Sequence, residues 1–355
     1  MKNNFIQARI FMGSVTNIAN RPFRRFVTEL GAEATIGEMA IAHYIAKGGK
    51  QDRALLKRDP HEQRFGAQIV GANPKQLAKA AQLAESMGAD FIDFNCACPH
   101  ASVISHGSGA LLLKRPQHIA TPIMAIREAT TRPVTLKIRK GFDADDNIVA
   151  EIVDIAQQCG LAAVFIHART RAQLYRGDND WDCIEAAAQS ADIPIIGCGD
   201  LAHGTQVLER LAHTHCAGLA LARGALIKPW IFKEIQLGNA LDPCAEQRLE
   251  WLRTLVAYTL EDFGTDTRGL AKSLTFLRNQ MGFLTRYVPT GAIGHEVAMQ
   301  ERAGAWTPRD ALEAMWAAQD RQTQDALLKL AGFPDQPSDN STDENPSDHQ
   351  ADLDV

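Results

Sequence analysis

The stretch Asp90-Phe91-Ile92-Asp93-Phe94-Asn95-Cys96-Ala97-Cys98-Pro99-His100 decides the fold reading. DFIDFN is a short apolar burst of strand type, and it breaks abruptly into two cysteines, a proline and a loop, Ser102 to Gly109, carrying Gly107 and Gly109. A short apolar run of this kind reads as a buried parallel strand, whose C-terminal end is where α/β enzymes place their chemistry. Pro99 discourages a helix immediately after Cys98, so the thiol is expected on a loop. A lone Cys-Pro in an intracellular chain is more often an inert core thiol, so the rest of the chain must decide.

Working outward, strand-like runs recur on both sides. RIFMG, EATIGEMA, RFGAQIVG and DFIDFN come first, followed by RPVTLKIRKG, LAAVFIHART, ADIPIIGCGD and CAGLALARGA. Amphipathic segments separate most of them, such as NPKQLAKAAQLAESMG, opened by Asn73-Pro74 and closed by Gly88. A further helix is expected from about Pro116 to Ala129. Eight strands alternating with helices over residues 1–240 predict an α/β fold, a (β/α)8 TIM barrel. The doubly wound alternative lacks a GxGxxG after its first strand.

Beyond Asp242-Pro243 the pattern changes. Residues 245–331 hold only helical runs and predict a C-terminal all-helical domain. From Asp335 the tail carries seven acids and no Lys or Arg, so the formal charge of -5 becomes 37 basic against 35 acidic residues without it. Residues 332–355 are therefore expected to be a disordered acidic tail. Seven cysteines show no metal-ligand spacing, no run reaches transmembrane length, and MKNNFIQARI has no signal-peptide core. The expectation is a cytoplasmic protein with no metal, no membrane association and no obligate protein partner.

Polar and small residues collect at the predicted strand ends. These are Gln68, Asn95, Cys98, Lys137, Arg139, His167, Arg169 and Arg171, then Gly199-Asp200 and Ala222-Arg223-Gly224. Gln68, Asn95 and His167 could each be satisfied core groups, but Lys137 sits in the apolar run VTLKIRK, where a point charge needs a partner. The glycines after the seventh and eighth strands suit a phosphate held on backbone amides, with Arg223 adding charge. A phosphate site, a cation and an amide partner together fit a flavin, with the thiol as proton donor.

The chain resembles the tRNA-dihydrouridine synthases in the order MGSVTNIANRPFRRFVTELGA, EMA, AQIVG, the Asn95-to-Pro99 turn with GSGALLLKRP, KIRKGF, HARTRAQLYRGDNDW, PIIGCGD and ARGALIKPWIF. The resemblance covers about residues 10–236, and HxRTRxQxYxGxxxW is its most specific part. It implies an FMN-dependent enzyme that uses NADPH to reduce uridine in tRNA or another structured RNA, with Cys98 as the acid. Cofactor contacts then fall at Met12, Gln68, Asn95, Lys137, His167, Gly199, Asp200, Ala222, Arg223 and Gly224. RNA contacts are expected at Arg139, Arg169, Arg171 and Arg176, and at Lys272, Arg278 and Arg286 of an RNA-binding helical domain.

The chain departs from the family pattern at Phe11 (family Pro), Cys96-Ala97 (Met-Gly), Ser102 (Lys), Cys198 (Asn) and Ala222 (Gly), as in a divergent branch of bacterial type. Two other readings stand beside this one. A dihydroorotate-dehydrogenase-like pyrimidine oxidoreductase has a similar Asn-x-x-Cys-Pro turn. A non-catalytic RNA-binding barrel would accommodate the departures.

Overall fold

The computed structural model describes residues 8–289 and 306–334. The acidic tail from Asp335 lies outside them. The strands are β1 (Ile10–Met12), β2 (Ala34–Ile36), β3 (Ala40–Ile41), β4 (Phe65–Val70), β5 (Phe91–Cys96), β6 (Val134–Arg139), β7 (Ala163–His167), β8 (Ile195–Cys198) and β9 (Gly218–Leu221). Eight of them close a parallel ring in the order β1-β2-β4-β5-β6-β7-β8-β9, with β1 paired back to β9 through Phe11↔Ala220. Intervening helices include Pro74–Ser86, Ala120–Ala129, Val149–Gln158 and Gly204–Ala212. This is the (β/α)8 barrel. β3 is a two-residue addition on β4.

EATIGEMA reads as one strand but forms two. Gly37 hydrogen-bonds to Gly66 O at 3.0 Å, and a Cβ there would meet the Phe65 ring and Leu55 O at 3.0 and 3.2 Å. The chain turns at that glycine, so β2 ends at Ile36. Two short helices, Ala42–Ala46 and Lys50–Leu55, occupy the connection to β4 without a clear apolar period to announce them. A five-residue helix, Ala101–Ser105, also forms closer to Pro99 than a proline brake implies. Pro99 precedes it, and the His100 ring caps it by accepting from Ser102 N.

Side chains alternate across a barrel wall, so every second residue enters the lumen. An apolar plug of Phe11, Ala34, Phe91, Ala163, Phe165, Ile196 and Ala220 fills it. Phe11 and Phe165 meet edge to face with centroids 5.2 Å apart. Gly66 makes room for Phe91, whose ring lies 2.2 Å from where a Cβ on residue 66 would be. By the same alternation Met12, fully buried, belongs to the outer face of β1. Its neighbour Phe11 is the β1 residue that joins the lumen plug.

The chain divides into two compact units, one running to Ala225 and including Pro229–Ala240, the other comprising Leu226–Lys228 and the chain from Leu241. Gln280 donates to Leu226 O at 2.9 Å, tying that short return segment to the second unit. The described part of the second unit is helical, with Ala245–Phe263, Thr267–Leu284, Ala311–Ala317 and Arg321–Leu330. Its centre is Arg248, 3% exposed, paired with the fully buried Glu313 at 3.1 Å and flanked by the rings of Tyr287 and Trp316. Among the described residues no helix is long and apolar enough to cross a membrane, and no group of three or more His, Cys, Asp or Glu could hold a metal.

Phe11→Ala should open a cavity in the lumen plug and destabilise the protein by about 3–5 kcal/mol, measured by urea denaturation. A loss below about 1 kcal/mol would mean that the plug closes around the gap.

Candidate active site

Above the apolar plug the lumen turns polar. Asp93 pairs in register with Gln68 and Thr135, and Asn95 with Lys137. Arg139 pairs with His167, and His167 with Cys198. Alternation puts these side chains on the lumen side at the C-terminal ends of the strands, the end at which barrel enzymes act. Gln68, Asn95, Lys137 and His167 are thereby brought together.

Cys98 lies just past β5 and is only partly exposed. Its backbone N–H and that of Ala97 both donate to Asn95 Oδ1, at 2.8 and 2.9 Å. Its carbonyl accepts from Ala110 N at 2.9 Å. A side chain on Gly109 would collide with that carbonyl at 2.8 Å, and its φ of +61° also favours glycine there. Burial pushes the Cys98 thiol above its ordinary range, while the His100 backbone N–H and the charges of Arg139 and Lys137 pull the other way. The thiol is therefore protonated at neutral pH. Cys96 is fully buried, and alternation with Asn95 sends its side chain out of the lumen.

Lys137 is partly buried and makes no hydrogen bond or ion pair with a described residue. Its charge acts on Asp93, Cys98, His167 and Cys198. Burial and the cations Arg139, Lys137, Arg169 and Arg223 hold His167 well below the usual imidazole range, so it is neutral. The Tyr175 ring lies stacked near it at 6.4 Å.

Two of the arginines read as RNA contacts are committed elsewhere. Arg139, 2% exposed, donates to Ala97 O, Thr170 O and Leu174 O at 2.8, 3.1 and 2.7 Å. Arg169, 4% exposed, forks onto Asp200 at 2.9 and 2.5 Å and also donates to Gly177 O. Their donors hold loops together and are not turned to solvent. Arg176 is exposed, and Arg171 is partly buried beside the Phe142 ring at 5.2 Å. In the helical unit Lys272 is exposed, Arg278 is held by both oxygens of Asp325 at 2.9 and 2.7 Å, and Arg286 lies over Phe283.

After β8, Gly199 has φ +129° and Asp200 φ +55°. A Cβ on Gly199 would lie 2.5 Å from the Asn179 amide, and one on Gly224 would lie 2.0 Å from Leu201 O. Asp200 spends its carboxylate on Arg169 and on Arg223, the latter at 3.3 Å. The partly exposed Ala222 opens the turn that leads into Arg223 and Gly224. Of the departures, Phe11 is in the plug, Ser102 meets the His100 ring at 2.8 Å, and the buried Cys198 thiol points to Ile166 O at 3.1 Å.

The reading of strand ends missed Asp93 and Thr135. Asp93 carries the same signal as Lys137, a charge inside an apolar strand run. Glu38 was missed as well. It is buried and accepts from Asn17 N at 2.8 Å, fixing the loop after β1, where Asn17 has φ +66°.

A barrel with a thiol, a partly buried lysine and a neutral histidine at its mouth defines an enzyme of the α/β-barrel class. The dihydrouridine synthase (Dus) family model matches residues 14–280, and the chain belongs to that family. A human protein named tRNA-dihydrouridine(47) synthase NAD(P)(+)-like is 35% identical over 317 residues, 88% of this chain and 49% of that protein. The tRNA-dihydrouridine(47) synthase NAD(P)(+) of Coprinopsis cinerea is 35% identical over 332 residues, 89% of this chain and 49% of its own length. The chain thus spans about half the length of these curated relatives. Among solved structures, histamine dehydrogenase from Rhizobium sp. 4-9 shares the barrel with TM-score 0.51 and 12% identity, over 70% of this chain and 49% of that one. A 2-naphthoyl-CoA reductase matches with TM-score 0.51 and 12% identity, over 65% and 50%.

Burial raises the Glu38 carboxyl from 4.5 to about 7, against the opposing pull of the Asn17 N–H and Arg24. Between those two values the folded protein holds a proton that the unfolded chain has released. Stability should therefore fall as pH rises through that window and level off above it, by roughly 3 kcal/mol at most. Glu38→Gln should flatten this slope in urea titrations at pH 5 and pH 8. An unchanged slope would place the ionisation elsewhere.

Proposed function

We propose that the chain reduces uridine to 5,6-dihydrouridine in tRNA, with FMN as its resident cofactor and NADPH as reductant. Within the dihydrouridine synthase family, the observation that carries this is the protonated Cys98 thiol at the rim of a mouth holding Lys137 and His167. The residues present suit the cofactor. Neither Gly199 nor Gly224 has room for a side chain, and Arg223 stands beside the second of these turns. The Asn179 amide is buried at the first turn with neither polar atom bonded. Lys137 has no competing ion pair among the described residues.

Gly199, Asp200, Ala222, Arg223 and Gly224 would hold the phosphate end of FMN, and Gln68, Asn95, Lys137 and His167 its ring end. Bound FMN supplies the hydride that adds to C6 of the uracil. Negative charge then develops over C5 and O4, and Cys98 Sγ delivers the proton to C5. The thiolate left behind is stabilised by the His100 backbone N–H and the fields of Arg139 and Lys137. Neutral His167 can donate or accept a hydrogen bond without adding another cation.

A uridine in folded RNA must leave its stack to reach this mouth. The exposed Arg176 and Lys272 are the cations best placed to meet phosphate, and Arg171, Arg278 and Arg286 are offered less freely. The helical unit is read as the RNA-binding domain. The position-47 naming of the relatives makes that uridine the first to test. The seven free cysteines and the proposed tRNA substrate support a cytoplasmic setting.

In a strain lacking the enzyme, Cys98→Ala should bind FMN and oxidise NADPH while forming dihydrouridine at least about 100-fold more slowly, by mass analysis of tRNA. Cys96→Ala should stay close to wild type, because its thiol is on the other side of the wall. Normal product from Cys98→Ala would overturn the assignment.

A further inference from the structure

Asp93 is fully buried in the lumen, and no step of the chemistry above uses it. Thr135 Oγ1 donates to one of its oxygens at 2.6 Å, and Gln68 Nε2 to the other at 2.7 Å. Gln68 Oε1 accepts from Asn95 Nδ2 at 2.8 Å. Asn95 Oδ1 then accepts the backbone N–H groups of Ala97 and Cys98. We propose that Asp93 is a positioning residue whose carboxylate terminates a one-way hydrogen-bond chain that fixes the turn carrying Cys98.

The direction of the chain is forced from the turn downward. Backbone N–H groups can only donate, so Asn95 must present its oxygen to them and its NH2 to Gln68. Gln68 must then present its oxygen to Asn95 and its NH2 to residue 93, which must accept. An ionised carboxylate has acceptors only, so Asp93 meets the requirement, with Thr135 donating to its second oxygen. Flipping either amide would set N–H against N–H or oxygen against oxygen in a dry interior, where unmatched polar groups are most costly. With both amides locked, Gln68 keeps one N–H and one lone pair unspent for a ligand at the mouth. The inference rests on the role given to Cys98, but the chain itself can be tested without turnover.

The readout is the alkylation rate of Cys98 by iodoacetamide in the FMN-loaded protein, followed by peptide mass analysis. Asn95→Asp still accepts from the turn but sets a carboxylate oxygen against Gln68 Oε1. Gln68 cannot turn to serve both neighbours, because Asp93 also only accepts. The turn should loosen, relieving the burial that holds the thiol protonated, and alkylation should rise by about fivefold or more. The double variant Asp93→Asn/Asn95→Asp permits the reversed chain, with Gln68 donating to residue 95 and accepting from residue 93. It should return the rate to within about twofold of wild type. A packing role for Asp93 predicts no such rescue. An unchanged rate in Asn95→Asp, or a double variant no better than the single, would overturn the proposal. Should Asn95→Asp not accumulate as folded protein, Asp93→Leu leaves the Gln68 N–H without an acceptor and is judged by the same fivefold criterion. A wild-type protein that forms no dihydrouridine would defeat the functional reading, while the alkylation comparison would still decide the chain.

Discussion

Three carbonyl groups from two loops converge on the guanidinium of Arg139. It takes Ala97 O from the cysteine turn, and Thr170 O and Leu174 O from the loop after β7, with the Tyr175 ring beside it at 5.3 Å. Burial lowers its pKa, but an arginine keeps its charge under such pressure, whereas a lysine at this depth could lose it. A planar fork can serve three acceptors at once, which a single ammonium cannot do with the same geometry. The rim of the mouth therefore depends on this one cation. Without it Leu174, at φ +53°, would lose the bond that holds its left-handed backbone.

The charges around the mouth divide into two kinds. Arg139 and Arg169 are spent on loops, and Asp200 balances Arg169 and Arg223. Lys137 is different, being near several groups but bonded to none of the described ones. The buried Asp93 partly compensates it, and its own carboxyl is pushed upward by burial while Thr135, Gln68 and Lys137 pull it back. The result is a mouth of net positive potential above an apolar floor. Such a site favours an anionic ligand or a reaction that develops negative charge.

Most of the barrel was legible because buried parallel strands announce themselves as short apolar bursts. β2 was read too long because the break at Gly37 depends on Phe65 and Leu55, which no local pattern reveals. At the site, Lys137 could be singled out because a charge in an apolar strand needs a reason. Asp93 met the same criterion, but its strand was read for the cysteine turn that follows it. Arg139 and Arg169 could not be told from solvent-facing cations, since their partners lie between 8 and 42 residues away. Arg278 and Asp325, 47 residues apart, present the same difficulty in the helical unit. Sequence shows that a cation exists, and only the fold shows whether its donors are free.

Gly66 and Phe91 carry a consequence for how this barrel can change. The Phe91 ring fills the volume that any side chain on residue 66 would need. The two positions are therefore coupled in order as well as in size. A first step that enlarges residue 66 meets an occupied lumen, whereas one that shrinks Phe91 leaves a void that residue 66 can later fill. Of the two routes between this pair and its mirror, with the bulk on β4 instead of β5, only the one through the cavity is passable. Exchange in the barrel floor is thus ordered, with shrinkage before growth, although neither residue touches the chemistry.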